Sequence, residues 1–188
     1  MPRYFDLEVS LCDVSPRIFR RFLIRETASF ATLHTAIQDA CGWWNYHLYV
    51  FRTCQEYAPE TDIAGIPDDE FDDEFPVPPA ARVKLKAYFG RAPGGCCFYL
   101  YDFGDDWWHE VVLHGVQEHS EAFQRRLIGG ARAFPREDCG GLTGYADCVK
   151  AVAGDDAGLD DPDGLRTWLD DWGPETFDLE RIAMRFDR

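Results

Sequence analysis

Two runs of aromatic and β-branched residues, 97–103 (CFYLYDF) and 107–114 (WWHEVVLH), are separated only by Gly104-Asp105-Asp106. Side chains of this kind favour strands, and so short a polar connection leaves room for little but a hairpin. An antiparallel sheet is therefore the expected frame. Alternation places Trp107, His109, Val111 and Leu113 on one face of the second run, and Trp108, Glu110, Val112 and His114 on the other. The same period-2 pattern runs through 4–12, with Phe5, Leu7, Val9 and Leu11 against Tyr4, Asp6, Glu8 and Ser10. It resumes over 18–24 after Ser15-Pro16, so 4–24 predicts a second hairpin, and 47–52 a further strand.

Helical signals fall between and after these strands. Thr32 is a candidate N-cap for a helix over 32–41, whose Leu33, Ala36, Ile37, Ala40 and Cys41 share a stripe before Gly42. Residues 83–89 fit a strand or a short helix. Residues 142–153 predict a helix ending at Gly154. Asp161 with Pro162 opens another through Leu165, Trp168 and Leu169, closed by Gly173-Pro174. A last helix covers about 178–187. The stretch 59–79 holds five prolines and reads as a long acidic loop, partly mobile and not a linker, while Gly129–Gly141 reads as a Gly- and Pro-bearing connection. The class is α+β: a mainly antiparallel sheet packed against helices, helical towards the C-terminus. At 188 residues one core is expected, hence one domain over 1–188.

With 46% hydrophobic and 15% aromatic residues the chain is too apolar for a disordered one. No apolar run approaches the roughly 18 residues of a membrane span. The start lacks a basic then apolar leader, so a cytoplasmic protein is expected. The seven cysteines follow no paired spacing, which suits reduced thiols. Net charge is −15, yet nine acids lie within 53–81 and ten within 155–180, leaving the remainder near neutral. Such runs read as solvated faces.

Several chemical signatures fail. Asp102-Phe103-Gly104 matches the kinase magnesium tripeptide but lacks the Gly-rich and catalytic loops. Asp160-Asp161-Pro162-Asp163-Gly164 suggests a calcium loop, but Leu159 falls at the first ligand position. There is no Walker loop, dinucleotide fingerprint, nucleophile elbow, His-Glu-x-x-His helix or paired Cys-x-x-Cys.

Three places concentrate histidine, aromatic and carboxylate side chains. His34, Trp43 and His47 surround the end of the first helix. Tyr101, Asp102, Asp105, Trp107 and His109 occupy the central hairpin, where Asp102 or Asp105 is placed to orient His109 for proton transfer or metal binding. The same Asp residues equally suit a turn that bonds its own backbone. Glu137 and Asp138 precede Cys139, Gly140-Gly141 and Tyr145; a thiolate there would have a lowered pKa, and either acid suits a helix cap.

The ordered segments Ser15-Pro16-Arg17-Ile18-Phe19-Arg20-Arg21, Leu33-His34, Ile37-Gln38, Gly42-Trp43, His47-Leu48, Tyr99, Tyr101-Asp102-Phe103-Gly104-Asp105, Trp107, His109, Glu137-Asp138-Cys139-Gly140-Gly141 and Gly144-Tyr145 span most of the chain. In them the sequence resembles the Ri-plasmid ORF-3-like family, also labelled TnpR-like passenger proteins of insertion sequences. It departs at Phe19, where the family has Trp, and at Phe134-Pro135-Arg136, where the family has Cys and Pro-Pro. The resemblance implies an α+β fold, carries no cysteine-based metal site here and supplies no activity. A serine recombinase is not implied, since neither its catalytic arginines nor a helix-turn-helix can be assembled.

The expected function is binding or interaction with a protein or small-molecule ligand, with Trp43, Tyr101, Trp107 and Tyr145 as an aromatic recognition surface. The enzyme alternative is a metal-dependent hydrolase, a divalent metal being held among His34, His47, Asp102, Asp105, His109, Glu137 and Asp138. A nucleic-acid role ranks lower: Arg17, Arg20, Arg21 and Arg25 cluster, but on a strand they divide between faces, and the acidic runs repel a duplex.

Overall fold

The computed structural model describes residues 1–66, 76–90 and 95–187. Among these residues seven strands form one antiparallel sheet: β1 (Arg3–Leu11), β2 (Phe19–Arg25), β3 (Tyr49–Arg52), β4 (Asp62–Gly65), β5 (Cys96–Tyr101), β6 (Trp107–Glu118) and β7 (Arg125–Ala131). Their order is β4-β3-β5-β6-β1-β2-β7. Both expected hairpins form. β1 pairs with β2, Leu7 opposite Phe22, and β5 pairs with β6, Tyr101 opposite Trp107. β1 also pairs with β6, Val9 opposite Val111, which places it centrally.

Among the described residues are five α-helices: α1 (Phe30–Cys41) between β2 and β3, α2 (Leu85–Phe89) between β4 and β5, and, after β7, α3 (Gly141–Ala153), α4 (Pro162–Leu169) and α5 (Leu179–Phe186). The stripe of α1 enters the core formed by Leu7, Val9, Tyr99, Trp107 and Val111. α5 closes the same core, with the Phe186 ring 5.2 Å from that of Phe22. Full burial of a phenylalanine contributes about 1.5–3 kcal/mol. Among the described residues no helix is long and apolar enough to cross a membrane.

Several boundaries differ from expectation. Ser29, not Thr32, caps α1: its Oγ accepts the Thr32 N–H at 3.2 Å, and buried Phe30 starts the helix. The segment 83–89 resolves as helix α2. Part of the 59–79 stretch is ordered, Pro59–Thr61 forming a 3-10 turn and Asp62–Gly65 the edge strand β4; its residues 67–75 lie outside the described residues. β7 stands where a connection was expected. A Cβ on Gly130 would lie 2.6 Å from the Phe177 ring, so this glycine lets a covering side chain approach the strand.

Candidate functional site

Three connections meet at one end of the sheet: Gly42–Leu48 after α1, the β5–β6 turn at 102–106, and 132–140 before α3. Gly42 ends α1 at φ 85°, turning the chain sharply towards the site. Trp43 Nε1 then donates to Pro135 O at 2.8 Å, and Trp44 N to Glu137 Oε2 at 2.6 Å. Tyr101 Oη donates to Glu137 Oε1 and accepts the Tyr46 N–H at 3.0 Å. Asp105 Oδ2 accepts the Gly140 N–H at 3.0 Å. The three connections are laced together by these bonds.

His47 projects into this junction. Its Nε2–H donates to Asp138 Oδ1 at 2.7 Å and lies 3.5 Å from Asp102 Oδ2. One ligand atom from each of His47, Asp102 and Asp138 falls within 4.8 Å of the others. Donor atoms around a first-row divalent ion at about 2.1 Å stand about 3–4 Å apart; the 3.5 Å between His47 and Asp102 falls in that range, while the 2.7 Å between His47 and Asp138 is a hydrogen bond that an ion would have to open. Asp102 is held in place through its other oxygen, which accepts the Gly104 N–H at 3.0 Å and the Asp105 N–H at 3.3 Å. The turn reading of Asp102 thus holds and leaves its second oxygen aimed at His47.

The remaining candidates lie elsewhere or serve the scaffold. His109 does not meet Asp102 or Asp105: it is fully buried, and its Nδ1–H faces the carbonyls of Trp107 at 3.0 Å and Tyr99 at 3.3 Å. Burial pushes its pKa down to about 4, so it is neutral and unsuited to the expected exchange. His34 is likewise pushed to about 4 by burial, against a hydrogen bond to Asn45 that favours the charged form. Gln38 Nε2 donates to Tyr99 Oη, Tyr99 Oη–H to His34 Nδ1, and His34 Nε2–H to Asn45 Oδ1 at 2.6 Å, which anchors the His47 connection. Glu137 and Asp138 do not cap α3, which starts after Gly140 with no side-chain capping bond. The Cys139 thiol is raised by its hydrogen bond with Cys148 and by burial, so it is not the activated thiolate expected of this position. Tyr101, Trp107 and Tyr145 are core residues, not an exposed recognition surface.

Beside the junction lies a cleft of about 430 Å³, and Trp43, Glu137 and Asp138 line it. Sequence reasoning missed its other walls: Trp44 and Tyr46, each 73% exposed, Trp168, and the guanidinium groups of Arg20, Arg136, Arg181 and Arg185. They come from five distant segments, and no local spacing marks them. The basic cluster at 17–25 is dispersed. Arg17 pairs with Glu8 and Arg21 with Asp6, Arg25 bonds the Phe123 carbonyl, and Arg20 turns into the cleft.

The family of plasmid pRiA4b ORF-3-like proteins matches residues 3–181. An uncharacterized protein of Sinorhizobium fredii (strain NBRC 101917 / NGR234), y4hQ, is 34% identical over 148 residues, covering 78% of this chain and 72% of the relative. The crystal structure of a protein of unknown function, MM3350 from Methanosarcina mazei Go1, is similar with a TM-score of 0.78 and 30% identity. It covers 96% of each chain.

Proposed function

Because the chain belongs to the plasmid pRiA4b ORF-3-like family, whose similar members above carry no stated activity, we propose a function from its own site. It binds a small molecule in the cleft, with a divalent cation held at the rim by His47, Asp102 and Asp138. The observation that carries this reading is the convergence of one imidazole and two carboxylates from three separate connections beside that cleft. A cation there takes the Nε2 position that hydrogen-bonds Asp138, so the His47 ring binds it as the Nδ1–H tautomer. Hydrolysis of a phosphate or amide bond is the reaction class such an ion serves. The binding step is favoured first, because Glu137, the neighbouring carboxylate, is already held by Tyr101 Oη–H and Trp44 N–H. The single domain and the cytoplasmic address belong to the same proposal, supported by one continuous sheet and the unpaired cysteine spacing.

Calorimetry with Mn²⁺ or Zn²⁺ tests it. One ion per chain is expected, with affinity lost at least about tenfold in His47→Ala and Asp138→Asn. Equal binding by the native protein and both variants overturns the assignment.

A further inference from the structure

In a chain of net charge −15, arginine usually finds a carboxylate, and Arg17, Arg21, Arg52, Arg132 and Arg166 each do so within 4 Å. The cleft breaks that pattern. Among the described residues none of Arg20, Arg136, Arg181 and Arg185 has a carboxylate partner, although Glu137, Asp138, Asp171 and Asp178 share the lining. Glu137 is taken by Tyr101 and Trp44, Asp138 by His47, and Asp178 by the N-terminus of α5. Asp171 lies at the exposed edge.

Arg20 is the most constrained of the four. It is 3% exposed, its Nε donates to Ala40 O at 3.1 Å, and its Nη1 donates to the carbonyls of Phe19 and Ala131 at 2.8 and 3.1 Å. Its guanidinium is sandwiched by the rings of Phe134 and Phe177 at 4.9 and 4.8 Å. Three neutral carbonyls fix this charge without cancelling it, and Nη2 has no hydrogen-bond partner among the described residues. Burial, and to a lesser degree the charge of Arg185, lowers the Arg20 pKa to about 10. Cations lining one half-enclosed space are stabilised by a doubly charged anion such as a phosphate monoester, whose oxygens guanidinium groups grip through paired N–H donors.

The cleft walls add a second chemistry. Trp44 and Trp168 are 73% and 40% exposed on its lining, and Arg136 already lies over the Trp168 ring at 5.0 Å. Exposed indoles beside cations are platforms for a flat ring. A 430 Å³ cleft falls in the range that holds a small organic molecule.

We propose that the ligand of this cleft is an organic phosphate carrying a planar ring, of the mononucleotide class, its phosphate facing Arg20, Arg181 and Arg185 and its ring facing Trp44 and Trp168. The inference rests on the cleft being the ligand site but does not require the cation. The competing role for Arg20 and Arg185 is structural, since both lie at the carbonyl end of α1, where positive charge is favourable.

Titration of the full chain with AMP, UMP, phenyl phosphate, adenosine and inorganic phosphate decides between them, in EDTA and again with Mn²⁺, read by calorimetry and indole fluorescence. At least one ring-bearing phosphate is expected to quench the indoles and to bind at least about tenfold more tightly than adenosine or inorganic phosphate. The exposed Arg181→Gln and Arg185→Gln should each weaken it about tenfold. All three ring phosphates binding no better than adenosine, in both conditions, overturns the inference, and one-to-one Mn²⁺ binding in that experiment would leave the cation reading standing. A lowered melting temperature in Arg185→Gln with unchanged ligand affinity in both variants also overturns it, as a helix-end role only. Ring-phosphate binding in EDTA, weakened by both variants, upholds it even where Mn²⁺ fails to bind.

Discussion

The Tyr101 hydroxyl joins the end of β5 to Glu137, donating to its carboxylate while accepting the backbone N–H of Tyr46. One buried oxygen thereby fixes the connection that carries His47 and the one that carries Asp138. Tyr101→Phe leaves the Tyr46 N–H and one of the two Glu137 carboxylate oxygens without this partner, costing about 1–3 kcal/mol of stability. Cation affinity at His47 should fall with it, by about tenfold. Denaturant unfolding and Mn²⁺ calorimetry on the same variant check both effects. Lost stability with unchanged cation affinity would separate Tyr101 from the site.

Asp102 does two jobs with its two oxygens and sits at φ 56°, where Asn is also tolerated. Asp102→Asn keeps the acceptor for Gly104 and Asp105 and should unfold within about 0.5 kcal/mol of the native protein, yet lose most cation binding. Asp102→Ala loses both functions and should cost a further 1–2 kcal/mol or so. The contrast between the two variants in urea is the measurement; equal stability would mean that the turn does not depend on this side chain.

Gly42 is required twice, by its φ of 85° and by Arg185 Nη2, which would lie 3.0 Å from an added Cβ. Gly42→Ala should destabilise the protein by about 1–2 kcal/mol. It should also displace Arg185 and weaken AMP more than it weakens Mn²⁺. Thermal unfolding with paired titrations tests this.

Both buried imidazoles have pKa values near 4, below the 6.5 of the free side chain. The unfolded chain therefore binds more protons between these values, so stability is complete above about pH 6.5 and declines as pH falls towards 4. Each histidine contributes up to about 3 kcal/mol to that decline. His109→Phe should flatten part of the slope between pH 7 and 4.5 in urea titrations. An unchanged slope would show that His109 does not titrate on unfolding.

The strands of greatest alternation, β1, β5 and β6, are legible in the sequence because each presents one face to a single core. β7 was not. Its Arg125-Arg126 and Gly129-Gly130 have no period-2 apolar signal, and its burial comes from α5 and Phe177, far along the chain. β4 is a four-residue edge strand amid prolines, and its pairing with β3 supplies what its composition lacks. Of the candidate residues, His47, Asp102 and Asp138 converge, whereas His34 and His109 become neutral hydrogen-bonding groups of the interior. The sequence contains the residue types for either outcome; the register of β5 on β6 sets His109 opposite Tyr99, and the meeting of three connections from distant parts of the chain brings His47 to Asp102 and Asp138.

The central position of β1 also governs how the molecule comes together. Its partner β2 lies a few residues away, but its other partner, β6, begins nearly a hundred residues later, with Leu11 opposite His109. During synthesis the first hairpin must wait with both hydrogen-bonding edges open, that of β1 until β6 emerges and that of β2 until β7 does. Such long-range closure slows folding. Chaperone dependence should concentrate in the interval before β6 is made, when the nascent chain presents an unpaired edge to its neighbours.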